Sequence, residues 1–229
     1  MRTPNIVQQD QALRLWGLVR LTGSELPGDD SHVTFYLRTA EESGVLAFAS
    51  ALDAEIYRQH LLGCGLSGWQ RAPLEQIDLE RVLSGRPEHQ RRLMLALGFS
   101  ASDTQALLQD DQQLLITPLL PLPINMRHTL HGMSRLHIEQ DVFDFVEQWW
   151  NRVGGDHYGH LMRITAGWSD SRLAQSAHHA LDRAAFANLR CLREQWGSTG
   201  CGDECAVFSP DTNAWRFSNL SGTRVRALH

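Results

Sequence analysis

The chain has 229 residues, a length that suits one large domain or two small ones. Its hydrophobic content of 42% and charged content of 21% are typical of globular proteins and exclude the disordered class. The formal net charge of −5 disfavours a general nucleic-acid binder, because phosphate contacts need a clustered positive surface.

The first 116 residues combine short strands with helices. β-Branched and aromatic residues between turn clusters predict strands at 15–21, 33–37, 45–48 and 69–74. Apolar spacing and capping residues predict helices from Asp53 to Leu62, at 79–83, at 89–97, and from Ser102 or Asp103 to Leu108. We therefore expect residues 1–116 to form an α+β half with antiparallel strands.

A proline-rich stretch, residues 117–125, separates the two halves. Pro118, Pro121 and Pro123 favour an extended backbone and exclude a helix, so we interpret this stretch as a connector. It overlaps the longest apolar run, residues 114–124, which is about half as long as a membrane-spanning helix needs to be. We therefore expect no membrane partner.

The second half, residues 126–229, contains the two strongest helical patterns. Ser134 is the predicted N-cap of the first, in which apolar residues recur at intervals of three and four up to residue 153, and a second pattern covers residues 171–196. Turn residues between 206–208 and 215–217 predict a terminal hairpin. The expected fold class is α+β, with N-terminal antiparallel strands and helices and a C-terminal half dominated by two long helices and a terminal β-hairpin.

Composition also bears on the compartment. The N-terminal residues are mostly polar and hold no apolar export core, and the four cysteines are too scattered for a disulfide framework. Every basic residue is an arginine, which is typical of GC-rich codon usage. We expect a bacterial, cytoplasmic protein with reduced thiols.

Histidines of the second half are the candidate metal ligands. His131, His157 and His160 could supply three ligands of a zinc site, with the last two in a loop after a double glycine. Their spacing matches none of the established zinc motifs, and the alternative is histidines that face solvent or pair with neighbouring groups. We therefore expect no cofactor, with zinc as the metal if the histidines do converge.

Signatures of catalysis are weak. No serine meets the nucleophile-elbow pattern, and no glycine-rich phosphate loop joins a strand to a helix. Cys201 and Cys205 are four residues apart with two acids between them, which is not a redox motif. A Cys201 nucleophile with His157 or His160 is the form that a hydrolase alternative would take.

Surplus aromatic residues point instead to binding. Phe143, Trp149, Trp150 and Phe186 offer more aromatic area than one helix stripe needs, and such residues are enriched at binding hot spots. The alternative is that they fill an ordinary core. We expect a non-catalytic protein-binding factor, such as an accessory, adaptor or inhibitor-like protein, whose partner is another protein or a second copy of the chain. A metal-dependent or cysteine hydrolase is the rival hypothesis.

Overall fold

The computed structural model describes residues 14–21, 32–38, 43–83, 86–124, 126–128, 134–136, 138–191 and 204–219. Its strands are β1 (Trp16–Leu21), β2 (His32–Thr34), β3 (Tyr36–Arg38), β4 (Ser43–Phe48), β5 (Trp69–Pro73), β6 (Arg92–Ala96), β7 (Phe99–Ala101), β8 (Ala106–Gln109), β9 (Leu119–Pro123), β10 (Met126–His128), β11 (Ser134–Leu136), β12 (Ala185–Asn188), β13 (Glu204–Ser209) and β14 (Ala214–Asn219). Its helices are α1 (Ala51–Gly63), α2 (Leu79–Leu83), α3 (Gln140–Gly154), α4 (Tyr158–Thr165) and α5 (Asp170–Asp182). The mixed α+β content expected from the sequence is confirmed.

The first sheet is built around a parallel pair, β4 and β6. Both strands read as nearly continuous apolar runs and are buried, as central parallel strands usually are. On one side β9 joins β6, and on the other β1 joins β4 before pairing with β2 and β5. The segment predicted as a connector is therefore β9, a strand of this sheet, and its prolines are tolerated because β9 lies at the edge.

Helix α1 follows β4 directly and lies under the sheet. Its N-cap is Ser50, whose Oγ accepts hydrogen bonds from the backbone N–H groups of Leu52 (3.1 Å) and Asp53 (3.2 Å). The sequence placed the cap at Asp53, which instead occupies the first turn. Because α1 packs against β1, β4 and β5 on one side and against α5 on the other, most of its length is buried.

The second sheet runs in the order β12-β8-β7-β13-β14 and combines strands from both sides of residues 117–125. Gly98 lies where the chain passes from β6 of the first sheet to β7 of the second. Its φ of +96° suits glycine, and a Cβ there would lie 2.8 Å from the Ala206 carbonyl oxygen of β13. One hydrophobic core extends through both sheets and through α1, α3, α4 and α5.

Two helices predicted in the first half are strands. Residues 89–97 form a 3₁₀ turn and then β6, which takes its hydrogen bonds from β4 and β9. Residues 102–108 form a turn and then β8. In both places pairing with distant strands overrides the local helical preference.

The two long helices predicted in the second half are shorter. Helix α3 begins at Gln140, whereas Ser134, its predicted N-cap, lies in β11. Helix α5 ends at Asp182, and the chain then forms β12 in parallel with β8. The terminal hairpin is confirmed as β13 and β14. None of the helices in the described ranges combines the length and apolar composition that a membrane span needs.

Candidate functional site

The candidate site is the outer edge of β12. This strand pairs in parallel with β8 along one side and ends the second sheet, so no described strand pairs with its other side. Ala185 and Phe186 are exposed, and Phe186 is 41% accessible. An unpaired row of backbone N–H and C=O groups is a template for another strand.

Three other edge strands carry residues that hinder such pairing. Strand β9 holds Pro121 and Pro123, β5 ends in Pro73, and β14 holds the exposed Arg216. Proline removes a donor and a charge resists apolar association, so these edges are protected. Strand β12, with the sequence Ala-Phe-Ala-Asn, carries neither.

Contacts with neighbouring segments of the chain hold β12 in place. The Asn188 Nδ2 donates to the carbonyl oxygen of Asp110 (3.1 Å), and its Oδ1 accepts from the backbone N–H of Arg190 (2.9 Å). The Phe186 ring lies against the His60 ring of α1, with centroids 5.5 Å apart. Strand β12 is therefore held in a fixed position, and the Phe186 side chain is partly in contact with α1.

Beneath Phe186, His60 fastens the turn that follows β8. Its Nε2 lies 2.7 Å from the carbonyl oxygen of Gln113, a residue with a positive φ of 63°. Since a carbonyl oxygen only accepts, we assign the proton to Nε2, which then donates. This bond stabilises a backbone conformation that a residue with a Cβ adopts at some cost.

Cys64 lies one helical turn after His60 but is not an activated thiol. Its Sγ is 3.5 Å from His60 Nε2, the nitrogen that already donates to Gln113. Burial and the nearby carboxylate of Asp110 both raise the pKa of the Cys64 thiol. A nucleophilic cysteine needs a lowered pKa or a free base, and this pair supplies neither.

Of the four aromatic residues predicted to bind a partner, two are buried, one is half-buried and one is exposed. Trp149 is 3% exposed and donates from Nε1 to the carbonyl oxygen of Leu97 (2.8 Å), and Trp150 is 1% exposed. Phe143 is half-buried, and only Phe186 is clearly exposed. Trp149 and Trp150 therefore fill the core, which is the alternative that the sequence left open for these aromatic residues.

The predicted metal ligands do not converge among the described residues. His157 and His160 lie at the start of α4, not in a loop, and both are exposed. His131 lies outside the described residues. Within the described ranges, no three His, Cys, Asp or Glu side chains form a group that could hold a metal ion.

The hydrolase alternative depends on an accessible, reactive cysteine in the second half of the chain. Cys205 is fully buried in β13 and donates from Sγ to the Leu97 carbonyl oxygen (3.4 Å). Burial is the largest cause that raises its thiol pKa, so this thiol is neither accessible nor activated. Cys201 lies outside the described residues.

The comparisons with known proteins assign no role to this site. Searches against protein-family models, curated proteins and solved structures found no significant match. The described residues form an α+β fold with two large sheets, a small two-stranded sheet of β10 and β11, and one shared core. The edge of β12 is free of charged residues and prolines.

Proposed function

We propose that this protein is a protein-binding factor that takes up an extended segment of a partner at the edge of β12. The observation that carries the proposal is the edge itself, which is unpaired within the described residues and, unlike the edges at β5, β9 and β14, holds neither a charge nor a proline. In strand addition, backbone hydrogen bonds supply affinity and side-chain contacts supply specificity. Phe186 would supply the apolar contact.

The charges around β12 favour a different protein over a second copy. Exposed Arg183 precedes the strand, and exposed Arg190, paired with Asp111 at 3.8 Å, follows it. An antiparallel pairing of two copies that sets Ala185 opposite Asn188 would also bring Arg183 of one copy towards Arg190 of the other, beyond the ends of the paired strands. Like charges brought close together oppose such a pairing. The fitting partner is an extended segment that has no charged residue apart from one acidic residue that meets Arg183.

Selection of displayed peptides tests this proposal. A random library of 12-residue peptides is selected on the full chain, and the affinity of enriched peptides is measured for the wild type and two variants. Phe186→Asp puts a charge on the edge, whereas Ile164→Asp puts the same charge at a similarly exposed apolar residue of α4, 44% accessible. We expect Phe186→Asp to weaken binding about tenfold or more and Ile164→Asp to leave it within about twofold.

Three results would contradict the proposal. The enriched peptides could bind both variants with the affinity they have for the wild type. The selection could also yield no peptide whose affinity differs between the wild type and Phe186→Asp. Sedimentation could also show a dimer that Phe186→Asp dissociates, in which case the edge binds a second copy. Circular dichroism of both variants checks that their folds are intact.

A further inference from the structure

A buried carboxyl group lies at the start of α1, apart from the β12 edge. Asp53 is 1% exposed, and its Oδ1 has no hydrogen-bond partner among the described residues. A buried polar atom without a partner is costly, and a buried unpaired charge costs far more. The surroundings of Asp53 therefore suit the neutral acid.

Three elements other than α1, namely α4, β13 and β14, place ionisable residues near Asp53 or near the residues around it. Tyr158 of α4 and Cys205 of β13 are close enough for the charge of Asp53 to raise the pKa of each, after the larger effect of their own burial. Both are acids and offer no positive charge. The charges of Arg216 in β14 and of Asp211 act on the pKa of Tyr158, which Arg216 lowers and Asp211 raises.

Helix α4 packs against the start of α1 and against β13. The Ser50 Oγ at the start of α1 lies 3.2 Å from the Sδ of Met162, and the Tyr158 hydroxyl donates to the carbonyl oxygen of Phe208 in β13 (3.2 Å). Helix α4 has only eight residues, and its other face, with His160 and Ile164, is exposed. Of the elements named around Asp53, α4 is the short one with a solvent-exposed face, whereas β13 is almost wholly buried.

We propose that Asp53 acts as a proton-operated latch: the neutral carboxyl group lets α4 seat against α1 and β13, and ionisation of that group favours release of α4. An ionised Asp53 must be hydrated, and displacement of α4 is the smallest movement that admits water. Burial raises the pKa of Asp53 to about 7, so the latch responds between acidic and neutral pH.

Amide hydrogen exchange of the full chain tests the latch. The open form gives Asp53 its ordinary pKa of 3.8, so opening should become about tenfold more favourable per pH unit up to about pH 7 and then level off. After correction for intrinsic exchange, protection of the α4 amides should fall about 50-fold from pH 5 to pH 7 and only about twofold more up to pH 8. Amides of β6 in the same samples should stay better protected.

Two variants isolate the carboxyl group. Asp53→Asn should abolish the pH dependence of α4, whereas Asp141→Asn, at an exposed acid in the first turn of α3, should preserve it. A flat profile in the wild type overturns the proposal even if Asp53→Asn does not fold. An unchanged slope in folded Asp53→Asn, or equal protection of α4 and β6, overturns it as well.

Discussion

At the scale of single residues, Asp53 couples stability to pH. Its pKa is raised from 3.8 in the unfolded chain to about 7 in the folded one. Below about pH 4 the group is protonated in both states and costs nothing. Between pH 4 and pH 7 only the unfolded chain releases the proton, so stability falls as the pH rises, and above about pH 7 the loss is constant.

The corresponding prediction compares Asp53→Asn with the wild type. Between pH 4 and pH 8 the free energy of unfolding of the variant, relative to the wild type, should rise by about 4 kcal/mol, the equivalent of a pKa shift from 3.8 to about 7. Urea denaturation followed by tryptophan fluorescence at the two pH values measures this difference. An equal difference at both values would show that Asp53 ionises freely in the folded protein.

At the scale of elements, the local sequence pattern predicted the right structure where it agreed with the way the strands pair. The aromatic and β-branched residues of β13 and β14, separated by turn residues, predicted the hairpin that is present. The helical pattern over residues 171–196 failed at Asp182, because Ala185 and its neighbours pair with β8, 79 positions earlier at Ala106. An alanine-rich segment packs acceptably in either form, so its distant partner decides.

A prediction at this scale concerns α3, whose aromatic residues differ in burial. Trp150→Ala should cost roughly 3–5 kcal/mol of unfolding free energy through lost burial and cavity formation, because Trp150 is 1% exposed. Phe143→Ala should cost several-fold less, since Phe143 is half-buried. Chemical denaturation of both variants measures the two costs. Equal costs would mean that Trp150 does not fill the core as described.

At the scale of the whole molecule, the site depends on contacts that no local pattern reveals. The surplus of aromatic residues drew attention to Phe186 together with Trp149 and Trp150, but periodicity could not show which of the three is exposed. Phe186 is exposed because the chain leaves α5 and joins β8 as an edge strand, and its support, His60, lies on α1. The importance of Asp53 depends likewise on α4 and β13, which lie more than 100 residues further along the chain.

The most direct test of strand addition is amide hydrogen exchange of β12 with a selected peptide bound. Backbone pairing along the free edge should slow exchange of outward-facing amides within residues 185–188 by about tenfold or more. Amides of β9, at the edge of the first sheet, should be unchanged. A bound peptide that leaves β12 exchange unaltered would contradict the account, because binding would then use another surface of the protein.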